Sequence, residues 1–348
     1  MGGLDVHVSE TRASILTEPV GDPGSLARPE AYTDSTDKKI REQFETFTTK
    51  HQRQYREAEA VRRYEIYREN WMKADAHNRQ PGIDYTMELN QFADFSPSEF
   101  KESRHGYIPP KKTGKSSRHL PPREVHNKEI PKTIDWTERG AVGDALDQGQ
   151  CGSCFIFSAN GAIAGRYEIK TGQLLAPSEQ EVLDCTHNPT YGDKGCGGGN
   201  MDSVYQYVED HGVCGETYSY KAREGTCRED TCTPIIQPEE IEGIRDVLAM
   251  NEQAMMEAVA EGPVAVAIDA GMLQLYEGGV LSGACGDKLD HGVLIVGYGV
   301  KNGKKCWKIR NSWGPEWGEQ GFFYLERGTY EVGGKCGVLE DGSYPEFG

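Results

Sequence analysis

The spacing of apolar residues divides the second half of the chain into a helical part and a strand-forming part. Helical spacing occurs over 154–170, 178–185 and 200–211, and the run that begins at Cys154 predicts a buried helix of roughly 15 residues. Shorter apolar runs rich in β-branched residues predict strands at 292–299, 305–311 and 321–327. Helices grouped in one stretch and strands in another predict an α+β fold.

A further helical pattern lies near the N-terminus, from Asp37 to Asn78. Within it, one continuous helix face is formed by residues spaced three or four apart: Glu59, Arg63, Tyr67, Asn70, Ala74 and Asn78. Ser96-Pro97-Ser98-Glu99 predicts a capping box with proline at the first helical position. The first 37 residues are rich in Ser, Thr, Gly, Pro and charge and are expected to be disordered, whereas residues 108–124 predict a linker.

Charge is distributed unevenly. Residues 1–128 carry 21 Lys and Arg against 20 Asp and Glu, and residues 129–348 carry 17 against 35, so the net charge of −17 belongs to the second part. This acidity argues against nucleic acid as a partner. No stretch has the apolar length of a membrane span. The ten cysteines predict a secreted or vesicular protein. The N-terminus lacks the apolar core of a signal peptide, so a signal was either removed or never present, and the cysteine content favours removal.

One short run, QGQCGSCFIF, carries the most specific chemical signal. Cys154 would stand in the first turn of a helix, where the dipole favours a thiolate, and Gln148 can offer an amide to an oxyanion. Far downstream, His291 begins a predicted strand and Asn311 lies on the next one. The Asn311 side chain can accept the imidazole Nδ1–H, and Trp313 can shield that hydrogen bond from water. This order of residues predicts a nucleophilic thiol with a general base.

The blocks Gln-x5-Cys, Asp-His-Gly and Asn-Ser-Trp-Gly together resemble the papain family of cysteine peptidases, in its cathepsin-L-like branch; Phe155 departs from the usual Trp or Tyr. The resemblance covers the chain from about residue 38 to the end. It implies a two-lobed α+β fold, with a helical lobe and a β-barrel-like lobe separated by a cleft. It also implies that Cys154 is the nucleophile and His291 the general base and then acid. Asn311 would orient His291, Gln148 and the Cys154 N–H would form the oxyanion hole, and the resting pair would be a thiolate and an imidazolium.

The same resemblance implies three domains: an N-terminal extension (1–37), an inhibitory propeptide with its linker (38–128), and a peptidase domain (129–348). The helix face ending at Asn78 and the block Asn90–Asp94 are similar to cathepsin-L-type propeptides, with departures at Tyr67, Ala74 and Glu88. The linker would cross the cleft in the non-productive direction, and the mature N-terminus would fall near residues 125–130. We expect autocatalytic activation in a lysosome-like acidic vesicle or after secretion, since acid protonates the carboxylates that hold the propeptide.

Eight of the ten cysteines are expected to form disulfides, although spacing alone cannot pair them. The resemblance implies three pairs, and a fourth that closes one loop is inferred from some protozoan members: Cys151–Cys196, Cys185–Cys227, Cys285–Cys336 and Cys214–Cys232. Cys306 alternates with buried strand positions and is expected to be an inert core thiol.

Substrates are expected to bind along Gly197–Gly199, a bare strand that a peptide backbone can approach closely. The resemblance implies that Gly199 hydrogen-bonds the substrate main chain, with Gly198 and Trp313 also at the groove. The pocket for the second residue upstream of the cut would be lined by Asn200, Met201, Ala267, Gly292 and Asp341. Asp341 at its floor predicts that Leu, Phe and Arg are all accepted; alternatively, Asp341 points to solvent and selects nothing.

Two other functions are open at this level. An inactive homologue would be a binding protein, which the intact set of Gln148, Cys154, His291 and Asn311 argues against, and an oxidoreductase would use a redox-active disulfide between Cys154 and Cys151. A zinc site has only His187, near Cys185 and Cys196, as a poor candidate, so no metal or cofactor is expected. Expected partners are protein and peptide substrates, the chain's own propeptide and cystatin-type inhibitors, with the enzyme a monomer.

Overall fold

The computed structural model describes residues 34–110, 119–125 and 129–348. The helices in these ranges are α1 (Asp34–Lys50), α2 (Glu57–Asn78), α3 (Pro97–Arg104), α4 (Cys154–Thr171), α5 (Glu179–Cys185), α6 (Met201–His211) and α7 (Glu252–Glu261). The strands are β1 (Tyr85–Met87), β2 (His119–Leu120), β3 (Ile134–Asp135), β4 (Ile241–Asp246), β5 (Val264–Ile268), β6 (Tyr276–Leu281), β7 (His291–Lys301), β8 (Lys304–Arg310), β9 (Phe322–Glu326) and β10 (Gly342–Phe347). They form one sheet in the order β1-β6-β9-β8-β7-β5-β10-β4-β2, with β3 paired to β7.

The predicted α+β architecture is confirmed. The helices α4, α5 and α6 share one buried cluster, whereas the large aromatic residues of β8 and β9 belong to another. The two clusters meet where α4 packs on β5 and β7. No helix in the described ranges is long and apolar enough to cross a bilayer.

The helix α4 has, over residues 154–165, apolar or small side chains on nearly every side, with Asn160 as the exception. Its first ten residues are all buried, which is typical of a helix in the core of a protein rather than on its surface. It ends at Gly172, whose φ of 77° is the left-handed conformation that closes many helices. Its 18 residues extend slightly beyond the predicted 15.

The helical pattern of residues 37–78 forms two helices rather than one. After α1 the chain turns at Gln52 (φ 52°), and the Arg53 N–H donates to the carbonyl of Thr48 at 2.8 Å, which is a helix-closing turn. The helix α1 begins at Asp34, with two acidic residues in its first turn, so residues 34–37 of the expected extension are helical and not disordered. The rest of the extension lies outside the described residues.

The predicted face of α2 holds the segment that leads to the cleft. The Asn70 amide donates to the carbonyls of Ala93 and Phe95, both at 2.9 Å. Arg63 binds Glu99 at 2.9 Å, and Glu99 completes the predicted capping box at the start of α3. The face therefore fixes α3, and with it the residues that follow.

Two short strands of the expected propeptide pair with strands of the expected peptidase domain. Strand β1 pairs with β6, and β2 pairs in parallel with β4. The predicted linker is thus partly a strand, while residues 111–118 lie outside the described part.

Candidate active site

Cys154 and His291 lie side by side, because the first residue of α4 meets the first residue of β7. The N–H of Gly292 donates to the Cys154 Sγ at 3.4 Å, and a Cβ added to Gly292 would stand only 3.0 Å from the Cα of Phe155. Both side chains are fully buried beneath the propeptide. Burial raises the pKa of Cys154 to about 11 and lowers the pKa of His291 to about 3. The covered site therefore favours a neutral thiol and imidazole over the expected ion pair.

Asn311 orients His291 through the ring nitrogen opposite to the predicted one. The contact runs from His291 Nε2 to Asn311 Oδ1, 2.8 Å apart, so the prediction of Nδ1 is wrong. Asn311 directly follows β8, which pairs with β7, the strand that begins at His291. Nδ1 has no hydrogen bond of normal geometry among the described residues, although the main chain of Arg104 lies close enough to raise the pKa of His291 against the larger effect of burial. Trp313 is fully buried and lies over the ring, with centroids 4.7 Å apart, as expected of a shield.

Gln148 already holds a carbonyl oxygen. Its Nε2 donates to the carbonyl of Arg104 at 2.9 Å and to that of Cys151 at 2.7 Å. The hydroxyl of Ser312 donates to Gln148 Oε1 at 2.7 Å and so fixes which way the amide points. Ser312 was missed in the sequence reasoning, although it lies within the Asn-Ser-Trp-Gly block.

Residues 104–108 of the propeptide cross the site in the same direction as the Gly199 segment. The Gly199 N–H donates to Gly106 O at 2.9 Å, and the Ile108 N–H donates to Gly199 O at 2.8 Å, which forms a parallel bridge. The segment that crosses is thus just ahead of the predicted linker. The Gly106 N–H favours the thiolate of Cys154 and so lowers the pKa of the thiol, against the larger effect of burial.

Gly106 passes so close to the enzyme that no side chain fits there. A Cβ at this position would overlap the carbonyl of Gly152. The neighbouring run Gly197–Gly199 is not the predicted strand, because residues 195–197 form a 3-10 turn and only Gly199 pairs. Gly198 has a φ of 107°, which departs from any strand conformation and needs glycine.

Tyr107 fills the predicted substrate pocket. Its ring shares a buried cluster with Met201 and Ala267, and its hydroxyl donates to the Asp341 carboxylate. Asp341 therefore faces the pocket and not solvent, and burial raises its pKa. The Asn200 side chain is occupied elsewhere, since it caps α6 by accepting the Ser203 N–H at 3.2 Å.

Three basic side chains in or just before the crossing segment, Lys101, Arg104 and His105, bind two carboxylates near Cys154. Lys101 and His105 lie 2.7 and 3.1 Å from the same Asp290 oxygen, and Arg104 lies 3.0 Å from Asp147. Burial opposes ionisation of Asp290, but the contacts with His105 and Lys101 outweigh it and hold its pKa below the usual range. The sequence reasoning missed these pairs because their members lie far apart in the chain.

The cysteine pairs in the structure are those proposed from the sequence: Cys151–Cys196, Cys185–Cys227, Cys214–Cys232 and Cys285–Cys336. Cys154 and Cys306 are unpaired and buried. A redox pair of Cys151 with Cys154 is excluded, because Cys151 is bridged to Cys196. Cys185 and Cys196 are both in disulfides, so neither offers a thiolate to a zinc ion beside His187. The His187 ring lies 3.6 Å from Glu224 instead.

Comparison with known proteins gives two family matches. Residues 130–346 match the family model described as papain family cysteine protease, and residues 44–100 match the cathepsin propeptide inhibitor domain (I29). The chain is 38% identical over 309 residues to cysteine proteinase RD21A of Arabidopsis thaliana, covering 87% of this chain but only 65% of that relative.

Solved structures of two precursors are similar along most of the chain. The recombinant stem bromelain precursor superposes with a TM-score of 0.80 at 34% identity and covers 89% of this chain and 99% of its own. Digestive procathepsin L 3 of the Tenebrio molitor larval midgut gives 0.77 at 35% identity and covers 88% of this chain and 99% of its own.

Proposed function

The chain belongs to the papain family of cysteine proteases, and we propose that it is a cysteine endopeptidase made as an inactive zymogen. The observation that carries this proposal is the placement of a peptide carbonyl, that of Arg104, on the Gln148 amide beside Cys154. Acyl transfer needs an oxygen held at such a donor next to the nucleophile. Residues 38–128 are proposed as propeptide and residues 129–348 as the enzyme.

In the uncovered enzyme, water re-enters the site and the burial that favours the neutral pair is relieved. The Cys154 thiolate attacks the scissile carbonyl carbon, the C–S bond forms, and the oxyanion is held by Gln148 and the Cys154 N–H. The His291 imidazolium gives its proton to the departing amine as the C–N bond breaks. His291 then takes a proton from water, which attacks the thioester and releases the acid and the thiolate. Asn311 holds the ring in place throughout.

The propeptide inhibits because its direction denies the sulfur a carbonyl carbon. We propose that substrates run antiparallel to the Gly199 segment, opposite to residues 104–108. Asp290, whose pKa is depressed in the covered state, holds the propeptide with full strength above the ordinary pKa of a carboxyl group and loses this contribution only as the pH falls below that value, so its protonation is proposed to contribute at the acid end of activation. Maturation is proposed near residues 125–130.

The pocket around Tyr107 is proposed to accept Leu or Phe, and also Arg through Asp341. The enclosed carboxylate, which accepts a hydroxyl in the zymogen, supports this proposal. Peptide substrates with Arg or Leu at that position, compared in wild type and Asp341→Ala, test it. The Arg-to-Leu ratio of kcat/KM should fall in the variant, and an unchanged ratio removes Asp341 from the specificity.

Acid activation favours an acidic vesicle or the extracellular space as the place of action. Protein and peptide substrates, and cystatin-type inhibitors that occupy the same cleft, are the proposed partners of a monomeric enzyme.

The decisive experiment is incubation of the zymogen at pH 4–5, followed by titration with an epoxide inhibitor of cysteine peptidases. Wild type should shorten to the mature form, gain peptidase activity and bind one equivalent of inhibitor. The Cys154→Ala zymogen, incubated alone, should stay intact and inactive. Equal trimming of both proteins would mean that processing is not autocatalytic, and an acid-treated wild type without peptidase activity would overturn the proposed function.

A further inference from the structure

The outer edge of β4 is covered in the zymogen by a strand that leaves with the propeptide. The propeptide strand β2 pairs in parallel with β4, with His119 opposite Ile244 and Leu120 opposite Arg245. No other described strand adjoins that edge of the sheet. Removal of the propeptide therefore exposes unpaired N–H and C=O groups, which can accept another extended segment.

Two side chains that follow this edge are each held by carboxylates of the peptidase domain. His119 Nδ1 lies 3.1 Å from Asp246 Oδ2. Arg123 binds Glu261, and its second nitrogen lies 2.7 Å from Glu346. The main chain is held as well, since Arg245 donates to the Pro121 carbonyl at 2.6 Å.

A cavity of about 400 Å³ lies beside these contacts, between the end of β4 and α7. Its apolar lining includes Val247, Ala254 and Ala258, and its acidic lining includes Asp246 and Glu261. Residues Arg123–Val125 form one wall, and Val125 packs against the apolar core. Once the propeptide leaves, the cavity becomes an open groove, which we call the β4–α7 groove.

We propose that the β4 edge and the β4–α7 groove form a second binding surface on the mature enzyme, which takes an extended basic segment of protein substrates upstream of the scissile bond. The inference rests on the proposed function. A basic segment fits the charge of this surface, because residues 129–348 carry 35 acidic against 17 basic residues. It also fits the shape, because Arg123 and Val125 of the propeptide occupy the surface in the zymogen.

The order of residues in such a substrate follows from its direction. In the propeptide, His119 and Arg123 come after Tyr107 in the chain. A substrate that runs in the opposite direction would place the residues before its Tyr107-pocket residue on the side of the enzyme where His119 and Arg123 lie. It would therefore present an aliphatic residue, any residue and then an arginine, about 16 positions before the residue in the Tyr107 pocket. Its pairing with β4 would be antiparallel.

Two fluorogenic substrates with the same cleavage sequence test this surface. Each begins with a tripeptide, Val-Gly-Arg in one and Val-Gly-Glu in the other, and a 15-residue Gly/Ser segment joins this tripeptide to the residue that enters the Tyr107 pocket. We measure kcat/KM with enzyme matured from the full chain. The arginine substrate should be cleaved about fivefold more efficiently, and the advantage should disappear in high salt. The Glu261→Gln/Glu346→Gln enzyme, which lacks both carboxylates that hold Arg123 in the zymogen, should lose the advantage, whereas Glu138→Gln, at an exposed acidic position outside the groove, should keep it.

Equal cleavage of the two substrates by wild type, or an advantage that survives the double substitution, would overturn the inference alone. Failure to cleave either substrate would remove the proposed function together with it. The salt dependence in wild type requires no variant, so the inference stays testable even if the double variant does not mature.

Discussion

The main-chain carbonyl of Arg104 accepts a hydrogen bond from the side-chain amide of Gln148, 2.9 Å away. The donor that would stabilise an oxyanion is thus in use before activation. Its orientation depends on Ser312, which holds the other end of the same amide.

Loss of this donor should lower kcat with little change in KM. In the mature enzyme, Gln148→Ala should reduce kcat by about 10²- to 10³-fold, as removal of an oxyanion donor does elsewhere. Ser312→Ala leaves the donor present but unfixed and should cost about tenfold. Steady-state kinetics on one peptide checks both. Ser219→Ala, which removes an exposed hydroxyl, is the control, and a Ser312→Ala enzyme as fast as this control would contradict the role of Ser312.

Cys154 and Cys306 are the two unpaired cysteines, and only the first should be reactive after activation. Mature wild type and Cys306→Ala should each bind one equivalent of an epoxide inhibitor, and Cys154→Ala none. Cys306 remains buried on β8, where burial raises its pKa and disfavours the thiolate. Mass spectrometry of the labelled peptide locates the adduct, and label on Cys306 would count against this assignment.

Asn311 should act on His291 and not on substrate affinity. Its hydrogen bond raises the pKa of His291 against the larger effect of burial, so Asn311→Ala should lower the imidazolium pKa in the mature enzyme. The thiolate–imidazolium pair is lost above that pKa, and the alkaline limb of kcat/KM should therefore move to lower pH. We expect kcat to fall about tenfold. Asn311→Gln keeps an acceptor and should retain more activity; a uniform loss at all pH values would indicate a purely structural role.

Lys101→Met should activate at higher pH than wild type. The substitution removes a cation 2.7 Å from Asp290 without changing the mature enzyme. The pKa of Asp290 in the covered state is then less depressed, which means that the ionised carboxylate contributes less to holding the propeptide. The midpoint of processing should rise by about half a pH unit, as measured by gel densitometry across pH. Lys38→Met removes an exposed contact within α1 and should leave the midpoint unchanged; an equal shift in both proteins would refute the role of Asp290.

Tyr107→Phe should weaken the propeptide mainly at neutral pH. The Tyr107 hydroxyl is the donor to Asp341, whose pKa is already raised by burial. Without the donor, an ionised Asp341 is buried unpaired, which is costly, whereas a protonated one is not. Processing of the variant should exceed that of wild type near pH 6.5 and approach it near pH 4. Tyr330→Phe, at a fully exposed position, is the control, and a pH-independent difference would exclude Asp341 as the cause.

The sequence predicted the elements that depend on local spacing and missed those that depend on approach between distant segments. The helix at Cys154 and the strand at His291 follow from runs of apolar residues. The nitrogen that faces Asn311 could not be predicted, because either edge of an imidazole satisfies the same motif and only the orientation of the ring in the folded chain decides between them. The contact of Tyr107 with Asp341 joins positions 234 apart, and neither residue shows it alone.

Gly106 passes over Gly152 with no space for even one carbon more. The added methyl group of Gly106→Ala would move residues 104–108 away from Cys154, while α1, α2 and β1 remain bound to the peptidase domain. The cell that makes this protein would then carry a protease whose propeptide is bound but does not inhibit it.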